Sequence, residues 1–333
     1  MVSNPEFLRQ GCGVKDFLHP DRIVLGGDEC AVDAVVRVYR PILDQQFPGA
    51  DECCRPVLFR TTRAVAEAAK YAANAFLAAK VSFINEIANI CDRVGADVAE
   101  VARVMGLDHR IGPDFLQAGL GWGGSCFAKD LDALIVAARD VGYEPQLLEA
   151  VRDVNGRQRD AVIAKLMRHI DLAGAHVALF GLSFKPGTDD LREAPAVKLA
   201  RSLRMRGAFI TAFDPVVRGI PDMPTVGVTD DPFEAADRAD AVVVVTDWPE
   251  LRKLDLVELR SRMRGNVLVD GRNAFHPYAA TRAGFVYEGI GRGAVTEGRG
   301  RAVEGHAHGA TEESSSLETP DDEPHAVAGR RAS

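Results

Sequence analysis

Cys126 is the residue best suited to chemistry. It stands in Gly-Gly-Ser-Cys-Phe-Ala-Lys-Asp, residues 123–130, at the mouth of a helical run starting near Phe127. A helix N-terminus and a nearby lysine both favour a thiolate. Lys129 and Asp130 follow one turn along, within reach of a substrate held on the thiol. A buried, inert cysteine is the competing reading, but the flanking glycines, serine and Lys-Asp pair are not core-like. Lys70 and Asn74 lie four apart in an alanine-rich helical stretch and share a face. Burial among alanines would make Lys70 a donor of tunable charge, suited to a developing oxyanion. A lysine snorkelling at a subunit interface would give the same pattern. Lys185, after Phe184, and Arg192 flank the start of a later helix, as a phosphate or diphosphate site requires; an ordinary charged loop is the alternative. Gly119, Gly121 and Gly124 spell G-x-G-x-x-G, yet they follow a helical segment and no acid ends a second strand some 20 residues on. They read as a turn that brings backbone close to a ligand or presents Cys126. Gly289, Gly291 and Gly293 fail the same tests.

The rest of the chain has to position these groups. Its 333 residues carry 47% hydrophobic and 26% charged side chains, the balance of a soluble globular protein with room for about two domains. No apolar run is long enough for a transmembrane helix, and MVSNPEFLRQ is not a secretory signal. A net charge of −8 argues against nucleic acid as a partner. The six cysteines lack regular spacing and predict reduced thiols in the cytoplasm. Cys12, Cys30, Cys53, Cys54 and Cys91 have no metal-ligand pattern and read as structural or incidental, so no metal is expected.

Hydropathy divides the chain into four parts. Residues 1–59 read as a fragment of an α/β unit, with strands at 22–26 and 56–59 around a helix over 28–45. Residues 60–170 read as an all-helical centre: a long Gly- and Pro-free helix over 61–94, helices over 97–105, 127–141 and 149–170, and a short one opening at Pro113–Gly119. Residues 171–293 alternate strands (176–180, 208–213, 241–246, 266–270) with helices (192–206, 232–239, 254–262), which predicts a parallel sheet covered on both faces. Ligands then bind beyond the carboxyl ends of its strands, near 181–192, Asp214, Asp247 and 271–273. Residues 294–333 hold eight acids against four arginines and almost no aliphatic periodicity, and read as a disordered tail. A stray metal on His306 and His308 is the alternative to a solvated tail there.

Five runs carry a family resemblance: Asn4 to Leu8 (NPEFL), Lys70 to Asn74 (KYAAN), Phe115 to Asp130 (FLQAGLGWGGSCFAKD), Phe180 to Arg192 (FGLSFKPGTDDLR) and Val269 to Arg272 (VDGR). In order and spacing they resemble the UDP-glucose 6-dehydrogenases of the UDP-glucose/GDP-mannose dehydrogenase family. That resemblance implies NAD-dependent oxidation of UDP-glucose to UDP-glucuronate through a thioester on Cys126. It implies Lys70 and Asn74 as oxyanion stabilisers, Asp130 orienting water or taking a proton, and Glu6 in acid/base work. It implies UDP-sugar contacts at Phe7, Leu8, Phe115, Leu116, Gln117, Ala118, Gly119, Leu120, Gly121, Gly123, Phe184, Lys185 and Arg272, with Arg110 reaching across a dimer interface. Lys129 and Arg192 match contacts to NAD. The implied fold is α/β: a C-terminal Rossmann-like UDP-binding domain, a central helical dimerisation domain with a homodimer through helix 61–94, and a partial N-terminal α/β remnant. Gln10 and Gln117 depart from the family's glutamate and lysine. Family members open on a strand followed by G-x-G-x-x-G, so residues 1–59 read as the end of an NAD-binding domain whose earlier part is missing. Two alternatives follow: a UDP-sugar-binding, dimerising remnant without catalysis, or a GDP-mannose 6-dehydrogenase.

Overall fold

The computed structural model describes residues 1–50 and 55–293. The expectations for Cys53, Cys54 and the 294–333 tail lie outside these residues. The described residues belong to one compact unit.

A small sheet opens the chain. β1 (Val2–Ser3) runs antiparallel to β2 (Arg22–Gly27), which pairs in parallel with β3 (Val57–Thr61). α1 (Gly13–Leu18) and α2 (Glu29–Leu43) fill the connections. Ile23 and Leu25 pack under Val32, Val36 and Ile42, the buried stripe of α2.

α3 (Arg63–Val94) is the axis of the helical centre. Its 32 residues span about 48 Å. Thr62 caps its start by accepting from the Val65 N–H, and Gly95, at φ 74°, closes its end. Alanines at 75 and 78 let α5 (Ser125–Asp140) and α6 (Gln146–Met167) approach closely, with Leu131, Ile135 and Val151 filling the seam. α4 (Val98–Gly106) begins at Asp97, whose side chain caps it by accepting from the Ala99 N–H.

One expected helix is not there. Residues 113–119 form an irregular loop, and Phe115 sits at φ 63°. A left-handed aromatic residue cannot continue a helix, and the loop's hydrogen bonds go to distant side chains, as shown below.

The second sheet is wholly parallel, in the order β6 (Gly227–Thr229), β5 (Phe209–Phe213), β4 (His176–Phe180), β7 (Ala241–Val244), β8 (Val267–Asp270), β9 (Val286–Gly289). By chain position this is the doubly wound order 3-2-1-4-5-6, with the switch point between β4 and β7. α7 (Pro195–Met205), α8 (Pro232–Ala235), α9 (Leu256–Arg262) and α10 (Pro277–Arg282) complete the crossovers. Gly181 turns the chain off β4 at φ 91°, where a Cβ would collide with Thr246. Ile84 and Ala88 of α3 and Val162 and Leu166 of α6 share one core cluster with Val177, Leu179 and Val243, which welds helices to sheet.

Candidate active site

Two polar pairs stand one turn apart on α3. Lys70 Nζ is 3.1 Å from Glu6 Oε1, and its side chain is 16% exposed. Glu6 is itself held in place, since its other oxygen accepts from the Leu8 N–H at 2.7 Å. Lys70 also lies 5.5 Å over the Phe7 ring. A turn further on, Asn74 Nδ2 donates to Asp130 Oδ2 at 2.5 Å, while Lys129 Nζ donates to Asp130 Oδ1 at 2.5 Å. Asp130 is 2% exposed. A polar group so buried needs hydrogen-bond partners, and these two donors supply them. The bond to Asp130 in turn raises the Lys129 ammonium above its ordinary value. Cys126 is exposed in the first turn of α5, four residues before Asp130 and on its face. Of the residues expected in the site, the fold joins Glu6 to Lys70 and Asn74 and Lys129 to Asp130.

The glycine run before Cys126 is backbone laid against other elements. Leu120 N donates to Gly271 O at 3.0 Å, and Arg272 Nη1 donates to Gly121 O at 3.1 Å. Gly123 and Gly124 press on Phe184, so neither has room for a side chain. Phe115 and Trp122 both meet the Phe127 ring, at centroid distances of 6.3 and 6.1 Å. The G-x-G-x-x-G spelling therefore marks close packing of backbone against protein elements.

A cavity of about 450 Å³ opens beyond the carboxyl ends of β7 and β8. Leu116, Gln117, Ala118 and Arg272 line it, joined by Asp247 and Asn273 from the sheet edge. Arg272 reaches in with Nε on Val245 O at 2.6 Å. Burial pulls its guanidinium below the usual arginine range, which is the situation an incoming anion would relieve. Arg103, Arg252 and Arg292 also line this cavity. Sequence reasoning missed them: they come from α4, from a 3₁₀ turn after β7 and from the chain beyond β9, and no local motif links them.

Two buried aspartates shape the rim. Asp214, at the end of β5, is fully buried and accepts from the N–H groups of Leu182, Ser183, Val216 and Val217 and from Trp248 Nε1. An acid there holds a ribose in dinucleotide-binding sheets of this order; here its oxygens are turned inward. Asp270, at the end of β8, accepts from the N–H groups of Arg272, Ala274 and Phe275 and from the Tyr287 hydroxyl. Burial pushes its carboxyl up. Both carboxylates thus organise the backbone at the strand ends.

Several expected contacts sit away from the cavity. Lys185 Nζ donates to Gln10 O at 2.5 Å and Gln10 Nε2 to Thr188 Oγ1 at 3.0 Å, tying residues 4–11 to the Lys185 loop. Arg192 forms a fork with Asp190 and stays 68% exposed. That guanidinium lowers the Asp190 carboxyl to about 2. Arg110 is clamped on Asp108 and points to solvent, 77% exposed. Leu8 is 40% exposed.

A doubly wound parallel sheet with an arginine-lined cavity beyond β7 and β8, packed on a helical unit that presents an exposed thiol, a lysine and a buried carboxylate, defines a two-part α/β class of protein. Family comparisons give the particular assignment. Models of the UDP-glucose/GDP-mannose dehydrogenase family match the chain over 1–43 (NAD binding domain), 64–157 (central domain) and 178–277 (UDP binding domain). The chain belongs to that family. It is 44% identical over 301 residues to a UDP-glucose 6-dehydrogenase of Rhizobium meliloti, covering 88% of this chain and 66% of that protein. It is 42% identical to the UDP-glucose 6-dehydrogenase TuaD of Bacillus subtilis, covering 89% of this chain and 62% of that protein. The chain thus spans slightly less than two thirds of the length of these relatives. A solved UDP-glucose dehydrogenase from Pyrobaculum islandicum superposes with a TM-score of 0.75 at 39% identity, over 87% of this chain and 63% of that one. Among the described residues, no helix is long and apolar enough to cross a membrane.

Proposed function

We propose that this chain carries the acyl-transfer and UDP-binding parts of a UDP-glucose 6-dehydrogenase, with Cys126 as nucleophile. The observation that carries the reading is the arrangement on α3 and α5: an exposed thiol in the first turn of α5, with the Asn74–Asp130–Lys129 cluster one turn along and the Glu6–Lys70 pair beside it. The cavity with Leu116, Gln117, Ala118 and Arg272 takes the UDP group, and the substrate C6 lies towards Cys126. Four guanidiniums around that cavity suit a diphosphate.

The chemistry follows from these groups. Oxidation of the C6 alcohol removes a hydride and a proton, leaving an aldehyde. The Cys126 thiolate adds to that carbonyl, and Lys70 and Asn74 donate to the resulting oxyanion. Loss of a second hydride leaves a thioester. Water, oriented by Asp130 or by Glu6, attacks the acyl carbon, its proton passes to a carboxylate, and the thiolate departs. NAD, when bound, accepts the two hydrides in successive rounds. Lys129 and Arg192, both exposed cations, would hold its phosphates. A nucleophilic thiol requires a reducing compartment, so the proposed location is the cytoplasm. The proposed domains are 1–59 (dinucleotide side), 60–170 (helical, catalytic and dimerising) and 171–293 (UDP side), and the proposed assembly is a homodimer through α3.

Calorimetry with UDP and UDP-glucose, together with absorbance at 340 nm in the presence of NAD, tests the proposal. UDP-glucose binding with NADH formation is the expected result. Binding without NADH would favour the second reading, a UDP-sugar-binding partner, which the intact arginine-lined cavity equally supports. Absence of UDP binding would sink both.

A further inference from the structure

The loop that lines the nucleotide cavity is held by carboxamides. At one end, Gly119 N donates to Asn85 Oδ1 at 2.8 Å, and Gly119 O accepts from Gln158 Nε2 at 3.0 Å. Asn89 Nδ2 donates to Gln158 Oε1 at 2.6 Å and so fixes which way the Gln158 amide faces. At the other end, Trp122 N donates to Asn155 Oδ1 at 2.8 Å, and Asn155 Nδ2 returns a bond to Trp122 O at 3.1 Å. The Trp122 indole donates to Ser82 Oγ at 3.0 Å. Asn85 and Gln158 are 0% and 1% exposed.

Two features say that this is more than filler. A carboxamide that serves both the N–H and the C=O of one residue, as Asn155 does at Trp122, does what a neighbouring strand would do. It fixes an irregular segment that has no ladder of its own. Asn85, moreover, is buried with its Nδ2 unpartnered among the described residues. An apolar side chain would avoid that cost but would orphan the Gly119 N–H. Gly121, at φ 100°, lets the loop come down onto Asn155, where a Cβ would collide with the amide oxygen. Ser82, Asn85 and Asn89 continue along α3 from Lys70 and Asn74. One helix therefore sets both the acid/base groups and the loop that would hold the nucleotide.

We infer that Asn85, Asn155 and Gln158 are positioning residues: they set the register of the 119–122 backbone, and through it the nucleotide's place relative to Cys126. The inference rests on the UDP-binding reading above.

The test uses Asn155→Ala and Gln158→Leu in the full chain, with thermal melts, UDP calorimetry and acrylamide quenching of tryptophan fluorescence. Of the two tryptophans, Trp122 sits in the loop and Trp248 is buried. Both variants are expected to melt cooperatively and to bind UDP about tenfold more weakly, the loss of one or two buried hydrogen bonds to the loop. Quenching should rise and return towards the wild-type level when UDP saturates the site, a ligand-reversible change that a purely structural role would not produce. If one variant fails to fold, the other carries the test, because they act on opposite ends of the loop. Unchanged UDP affinity with unchanged quenching overturns the inference, and so does loss of folding in both variants. Should the wild-type chain not bind UDP, the functional reading falls, and the quenching comparison alone then decides whether these amides hold the loop.

Discussion

Cys126 and Cys91 are both free thiols, but their surroundings oppose each other. Cys126 is exposed at the start of α5. Cys91 is buried, and burial together with Asp92 and Asp97 pushes its thiol up. Iodoacetamide at neutral pH should therefore label Cys126 quickly and leave Cys91 unmodified in the folded chain, read by peptide mass mapping. UDP-glucose should slow labelling at Cys126 but not at the exposed Cys12 and Cys30; equal protection of all of them would detach the substrate from Cys126. Asp190 offers a pH test. The Arg192 guanidinium holds its carboxyl at about 2, below the unfolded value near 4, so its contribution is present above about pH 4 and lost as pH falls towards 2. Asp190→Asn should cost about 1–2 kcal/mol at pH 7, less than the full shift because Arg192 is largely exposed. Urea unfolding across pH should show that gap constant from pH 7 to 5 and narrowing below 4; a gap independent of pH would refute the assignment. At this scale the sequence told most about residues with short-range context. Gly-Gly-Ser-Cys and Lys70-x-x-x-Asn74 could be read because their partners lie within a turn or a loop. Arg103, Arg252 and Arg292 could not, since only the fold brings their elements to one cavity.

Elements were legible where local propensity and tertiary packing agree. α3 shows this: no glycine or proline, a threonine cap, and a glycine stop at Gly95. The buried strands β4, β7 and β8 show it too, as continuous apolar runs. β1, β6 and β9 were not legible because they are edge strands of two to four residues without a continuous apolar run. The 113–119 stretch misled because a proline and alternating apolar residues imitate a first helical turn, while distant amides and Gly271 decide its path. Asp214 is a similar case, a single polar residue fixing two connections. Removing it with Asp214→Ala would strand four backbone N–H groups and the Trp248 indole in the core. The expected cost is about 3 kcal/mol or more, from denaturant titration. UDP affinity should fall as well, since the Leu182–Ser183 turn carries Phe184. A loss below 1 kcal/mol would show that solvent reaches these groups and that Asp214 is not a loop organiser.

For the whole molecule, the question is what covers α3. Phe76, Phe83 and Ile90 are spaced by seven residues and are 66%, 49% and 50% exposed, with Val65 and Val94 continuing the stripe at 48% and 69%. Isolated exposed apolar residues are ordinary, but a row of them along about 48 Å of one helix is the kind of surface that a protein buries. A seven-residue repeat keeps such a row on one face over several turns, so a second α3 of the same chain can lie along it. The opposite face of α3 already carries Lys70, Asn74 and Asn85, which makes the proposed dimer contact a brace for the site. Light scattering should give about twice 35.9 kDa for the parent chain. Phe76→Glu with Phe83→Glu should bring the mass to that of one chain, because two carboxylates per copy would have to be buried against their own symmetry mates. The separated chains should then bind UDP more weakly, since α3 loses the partner that holds it straight. A parent that is monomeric at micromolar concentration, or a double variant that stays dimeric, would remove α3 as the interface and leave the stripe to another partner.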